Sequence, residues 1–141
     1  MLRLPLLMGN SPSGNRSVHE AHWSSWKHNQ VTPLFEDEWR TPVSVSNVAR
    51  LTVELLERPE IQGLYHWCGA DQLNRWVMGK RIAEKLGVPE NLLQKKKKKS
   101  MARFKDRPLN LTMDCSKLAD LVQTRPASFE EQLDDIVLPE A

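Results

Sequence analysis

Six glycines, two cysteines, four histidines and a run of five lysines are the residues of this 141-residue chain whose spacing bears on chemistry. A phosphate-cradling loop needs glycines close together, so that backbone amides approach the anion without a Cβ in the way. Gly9, Gly14, Gly63, Gly69, Gly79 and Gly87 never make that spacing. No GxxxxGK[ST] loop and no GxSxG nucleophile elbow occurs either, which removes two common catalytic classes. His19 and His22 share a helix face, and His66 and Cys68 point the same way on a strand. Neither pair has a third ligand placed by spacing, and HEAH is not the HExxH of zinc proteases. A cysteine on an apolar strand reads first as a small core residue, so no metal site and no cysteine–histidine nucleophile is expected.

Two arginines stand at the edges of elements: Arg40 in WRTPVSVSNVAR and Arg107 in DRPLNLTMDCSKL. A single arginine so placed holds a salt bridge by default. Its alternative use is a bidentate clamp on a ligand phosphate. Lys95 to Lys99 could neutralise a nucleic-acid backbone. Single-strand binders interleave aromatics with charge, however, and the nearest aromatic, Phe104, lies outside the run. Residues 94–100 therefore read as a low-complexity, solvated lysine loop whose ammonium groups stay in water, and no nucleic-acid partner is expected.

The elements that would position these residues alternate in kind. Leu2 to Met8 is an almost continuous apolar run, the pattern of a strand buried on both faces. Val18 to Lys27 reads as a short helix. Val43 and Val45 alternate with Ser44 and Ser46 as a strand. Val48, Leu51, Thr52, Leu55 and Leu56 then fall on one face of a helix that Ser46 or Asn47 caps and Pro59 ends. Leu64 to Cys68 is a second apolar strand. Asn74 caps a helix carrying Met78, Ile82, Ala83 and Leu86, and Gly87 and Pro89 stop it. A short helix is expected around Ser116 to Val122, and Ser128 with Glu131 has capping-box spacing ahead of Leu133, Ile136 and Val137. The fold class is α/β.

Composition sets the scale. A chain of this length folding alone buries roughly 68–70% of its unfolded surface, enough for one core and not for separate cofactor and substrate domains. The net charge is +2, and the lysine run accounts for the excess, because the remainder is slightly acidic. Two distant cysteines make no disulfide framework, which fits a reducing, cytoplasmic setting. The apolar stretch in MLRLPLLM is shorter than a signal-peptide core, and nothing approaches the ~20 apolar residues of a membrane span.

Five segments in order, RLPLLMG, RTPVSVSNVARLTVELLE, GLYHWCGADQLNRWVMGKRIAEKLGVP, RPLNLTMDCSKL and RPASFEEQL, resemble the C-terminal, substrate-binding half of an extended short-chain dehydrogenase/reductase. The branch they resemble is the dTDP-4-dehydrorhamnose reductase type, which also contains the beta regulatory subunit of methionine adenosyltransferase. The resemblance implies the C-terminal part of a Rossmann-like fold, residues 1–141 forming one partial domain without the dinucleotide-binding half. It implies NAD or NADP as cofactor in the full-length family, with none expected on this chain alone. The family's Tyr-x-x-x-Lys pair has no match: the single tyrosine, Tyr65, is followed four residues on by Gly69. Carried over by motif, Arg107 and Arg40 would hold the diphosphate of a nucleotide-diphosphate sugar. Met8 would stand beside the substrate where many relatives carry an aromatic. Two readings follow from the family: the substrate-binding half of a sugar-nucleotide reductase, inactive alone, or a non-catalytic regulatory module that binds a partner enzyme.

Overall fold

The computed structural model describes residues 1–104 and 106–137; Lys105 and residues 138–141, which the single-domain expectation includes, lie outside the described residues. Strands and helices alternate. In chain order they are β1 (Leu2–Arg3), β2 (Leu7–Met8), α1 (Val18–Lys27), β3 (Thr32–Phe35), β4 (Trp39–Arg40), β5 (Val43–Ser44), α2 (Val45–Glu57), β6 (Tyr65–His66), β7 (Leu73–Asn74), α3 (Arg75–Lys85), β8 (Leu93–Lys96), α4 (Ser116–Ala119) and α5 (Phe129–Leu133). The fold class is α/β. The chain forms two compact units, one built on residues 1–9, 41–72 and 112–136, the other on residues 10–40 and 73–111 with Val137.

In the first unit β1 pairs in parallel with β6, and β2 with β5. The apolar run Leu2 to Met8 is not one continuous strand. Pro5, which has no N–H to donate, interrupts it between β1 and β2, and Leu7 is 42% exposed where burial on both faces was expected. Val43, Leu51, Trp67, Cys68, Cys115 and Leu118 form the core. The Trp67 indole donates to Asn47 Oδ1 at 2.7 Å, and Asn47 Nδ2 donates onward to the Arg125 carbonyl at 2.9 Å. The Trp67 indole and the Asn47 amide are thereby satisfied. The cap of α2 is Ser44, two and three residues earlier than the expected Ser46 and Asn47: its hydroxyl accepts from the Asn47 amide at 3.2 Å, so Val45 is helical rather than extended.

In the second unit β3 pairs in parallel with β8, and β4 antiparallel with β7. Asn74 caps α3 as expected, accepting from the Val77 amide at 2.9 Å, and Gly87 takes φ +66° just beyond its end. Packing of α3 on β3 requires Gly79, because a Cβ there would meet the Leu34 methyls at 2.5 and 2.6 Å. The loop between β2 and α1 is organised by one carboxylate. Glu20, buried, accepts from the amides of Ser11 at 2.6 Å, Arg16 at 3.0 Å and Ser17 at 2.8 Å. Burial alone would raise its carboxyl, but these hydrogen bonds outweigh it and hold the group below the ordinary carboxylate range.

The lysine run is not a solvated loop. Gln94, Lys95 and Lys96 belong to β8, in register with Pro33, Leu34 and Phe35. Lys98 is buried, with 6% of its side chain exposed, and its Nζ lies 3.0 Å from Glu38 Oε1. The acidic stretch Glu36, Asp37 and Glu38 is the reason. Glu36 pairs with Lys95 at 2.8 Å, and the Asp37 carboxylate accepts the amides of Lys98 at 2.7 Å and Lys99 at 3.0 Å. Carboxylates brought alongside by β3 offset the like-charge repulsion that the local sequence implies.

Candidate functional site

Glu38 ends the acidic stretch, and its carboxylate is the hub of the second unit. Arg40 Nη2 lies 2.5 Å from Oε1, Lys98 Nζ 3.0 Å and Arg75 Nε 3.9 Å from the same oxygen, while the Arg75 amide donates to the Glu38 carbonyl at 2.9 Å. The topology explains the meeting. The β4–β7 pairing sets Trp39 opposite Asn74, which brings the first residue of α3 to Glu38, and the β3–β8 pairing delivers Lys98. Three cations converge on one carboxylate. Burial pulls the Arg75 guanidinium below its ordinary range, Glu38 opposes this and Arg40 adds to it. Positive charge is thus left in excess where water is scarce, the condition that favours an anionic ligand.

A cavity of about 320 Å³ opens beside this cluster. Arg16, Arg75 and Glu38 supply charge to its wall, Ser17 and His22 supply polar groups, and Pro33 and Phe35 supply apolar surface. The size and the mixture are those of a small-molecule site. Burial first, then Arg75 and then His19, push the His22 imidazole down to about 4, so His22 is neutral at physiological pH and offers one donor and one acceptor nitrogen. The Phe35 ring meets Phe104 edge-on at 5.7 Å. Arg103 and Arg107 in turn lie over Phe104, at 4.5 and 5.5 Å from its centroid.

The site residues expected from the sequence fare differently. Arg40 is buried and internally engaged: besides Glu38, its Nη1 donates to the Trp39 carbonyl at 2.6 Å and the Leu109 carbonyl at 3.2 Å. Arg107 is exposed and makes no ion pair among the described residues, so its fork is available. Both belong to the second unit. Met8 belongs to the first unit and is 1% exposed, packed in its interior. Arg16, Arg75, Phe35 and the Glu38 hub were not anticipated. The acidic run Glu36 to Glu38 was the one local signal, and it pointed only to the Glu38 hub.

His19, His22, His66 and Cys68 are separated by unit: the first two lie on α1 of the second unit, the others at and beyond β6 of the first. Among the described residues no group of three or more histidine, cysteine or acidic side chains is placed to hold a metal ion. No helix among them is long and apolar enough to cross a membrane.

The family model for the RmlD substrate binding domain matches residues 2–140. Methionine adenosyltransferase 2 subunit beta of Xenopus tropicalis is 29% identical over 124 residues, 84% of this chain and 36% of that protein. The Bos taurus protein of the same name is 32% identical over 127 residues, covering 86% of this chain and 37% of its own length. Among solved structures, dTDP-4-dehydrorhamnose reductase from Bacillus anthracis in complex with NADP superposes with a TM-score of 0.82 at 16% identity, over 94% of this chain and 46% of that one. The chain thus spans less than half the length of these relatives. It belongs to the RmlD substrate-binding family.

Proposed function

From that membership, we propose that the chain is the sugar-nucleotide-binding half of an NAD(P)-dependent reductase of the dTDP-4-dehydrorhamnose type, and that hydride transfer needs residues from outside these 141. Neither a Gly-rich dinucleotide loop nor Tyr-x-x-x-Lys is present in the sequence. The reading is carried by Arg16 and Arg75 on the wall of a partly apolar cavity whose one lining carboxylate, Glu38, is already engaged by Arg40 and Lys98. A nucleotide-diphosphate sugar has the matching chemistry: a doubly charged diphosphate for the cations and a flat base for the Phe35 wall. Arg107, exposed beyond the Phe35–Phe104 pair, is the clamp for the diphosphate. Arg40 acts indirectly by holding Glu38; Met8, buried in the first unit, is a substrate neighbour on the family resemblance alone. Both cysteines are free thiols, the state a cytosolic setting maintains.

The sequence likeness to methionine adenosyltransferase 2 subunit beta favours a second reading, a regulatory module that binds a partner enzyme. Gel filtration separates the two. The first reading expects this chain to elute apart from a methionine adenosyltransferase catalytic subunit and to retain a thymidine diphosphate sugar. Co-elution with that subunit, and no retained nucleotide, would establish the second.

A further inference from the structure

The two cysteines play no part in the reading above, yet the fold brings them together from positions 47 residues apart. Cys68 follows β6 and Cys115 is the residue that caps α4. The Cys115 thiol donates to the Cys68 carbonyl at 3.7 Å, and the Cys68 thiol donates to the Met113 carbonyl at 3.2 Å. The Cys115 sulfur therefore lies directly against the Cys68 backbone. Both line a second cavity, of about 420 Å³, with Thr41, Gly69, Asp114 and Ser116. The pair is therefore packed on one side against Val43, Leu51, Trp67 and Leu118 and open on the other to a space that admits small molecules.

We propose that Cys68 and Cys115 are a dithiol oxidised by hydroperoxides, closing to a disulfide that ties the end of β6 to the start of α4. Two inert core cysteines would face apolar atoms on every side; these line one cavity, and the Cys115 thiol rests on the Cys68 carbonyl. The proximity of Cys68 holds the Cys115 thiol below the ordinary cysteine range against the effect of burial, and the proximity of Cys115 together with burial pushes the Cys68 thiol up. Cys115 is accordingly the attacking thiolate. Its sulfur displaces hydroxide from hydrogen peroxide, breaking the O–O bond and forming the sulfenic acid; the hydroxide takes a proton to become water. The Cys68 sulfur then attacks the Cys115 sulfur, the S–S bond forms, the S–O bond breaks, and the departing oxygen leaves as water with the Cys68 proton. The two thiols lose two electrons in all, and one peroxide becomes two waters.

The test is peptide mapping of the full folded chain after hydrogen peroxide, with free thiols alkylated under denaturing conditions. Met1, 85% exposed, reports through its sulfoxide that oxidant reached the protein. The expected result is a linked pair of peptides containing Cys68 and Cys115, lighter by two hydrogens, unalkylated and separated again by dithiothreitol. In Cys68→Ser, dimedone should trap a sulfenic acid on Cys115. Oxidised Met1 with both cysteines still alkylated, or a disulfide joining two chains instead of one, would overturn the proposal. The wild-type map decides the matter even where the serine variant fails to fold.

Discussion

Lys98 Nζ stands 3.0 Å from Glu38 Oε1, with 6% and 9% of the two side chains exposed, so one member of a five-lysine run is buried in an ion pair while Lys96 and Lys99 are exposed. The lysines should therefore not be equivalent. Lys98→Ala removes a charge-assisted contact to a buried carboxylate that keeps Arg40, and should cost about 1.5–3 kcal/mol. Lys96→Ala and Lys99→Ala, both exposed, should change stability by less than about 0.5 kcal/mol. Urea denaturation of the three variants checks this, and equal midpoints would contradict the buried pair.

That asymmetry also marks where the sequence is legible. Both caps of α3 and the whole span of α1 can be read locally, because Asn74, Gly87 and the face carrying Trp23 and Trp26 act within a few residues. The same is true of the capping box at Ser128 and Glu131, where the Glu131 carboxylate accepts the Ser128 amide at 2.8 Å. The burial of Lys98 has no local signature. It depends on Glu38, sixty residues away in sequence, reaching it through the β3–β8 register, and five adjacent lysines otherwise say only that they repel. Arg75 is similarly illegible, since as the first residue of α3 it looks like a surface position until β4–β7 pairing sets it against Glu38. Arg40 and Arg107 could be picked out as arginines at element edges; which of them is tied up internally could not.

Stability should fall on mild acidification. The His22 imidazole, lowered to about 4 against an unfolded value of 6.5, and His19, lowered in the same direction by burial, stay neutral in the folded chain where the unfolded chain takes up protons. Their contribution is complete above about pH 6.5 and is lost as pH falls from there toward about 4. Melting temperatures across that window should decline, and His22→Gln should decline less steeply. A flat profile in the wild type would show that His22 is protonated in the fold.

Gly69 approaches Pro42 closely enough that a Cβ would sit 2.0 Å from its carbonyl oxygen and 2.6 Å from Gln132 Nε2. Gln132 cannot yield freely, as that nitrogen donates to the Pro42 carbonyl at 3.1 Å and the Ala127 carbonyl at 2.9 Å. Gly69→Ala should therefore cost about 3 kcal/mol, the upper end for overpacking. At Gly79 the obstruction is the Leu34 side chain rather than backbone, so Gly79→Ala should be milder. Chemical denaturation orders the pair, and the reverse order would contradict the packing described.

The central claim is that the cationic face of the second unit binds the diphosphate of a nucleotide sugar, with Arg107 as an exposed clamp. Calorimetric titration of a thymidine diphosphate sugar into the wild-type chain and Arg107→Ala tests it most directly. Because Arg107 forms no ion pair among the described residues, its removal leaves the fold intact and isolates binding. Loss of a bidentate contact to phosphate is worth about 1.5–3 kcal/mol, so the dissociation constant should rise roughly ten-fold to more than a hundred-fold, with Arg107→Lys recovering only part. Identical dissociation constants for wild type and Arg107→Ala, or no binding heat from the wild type, would contradict the claim.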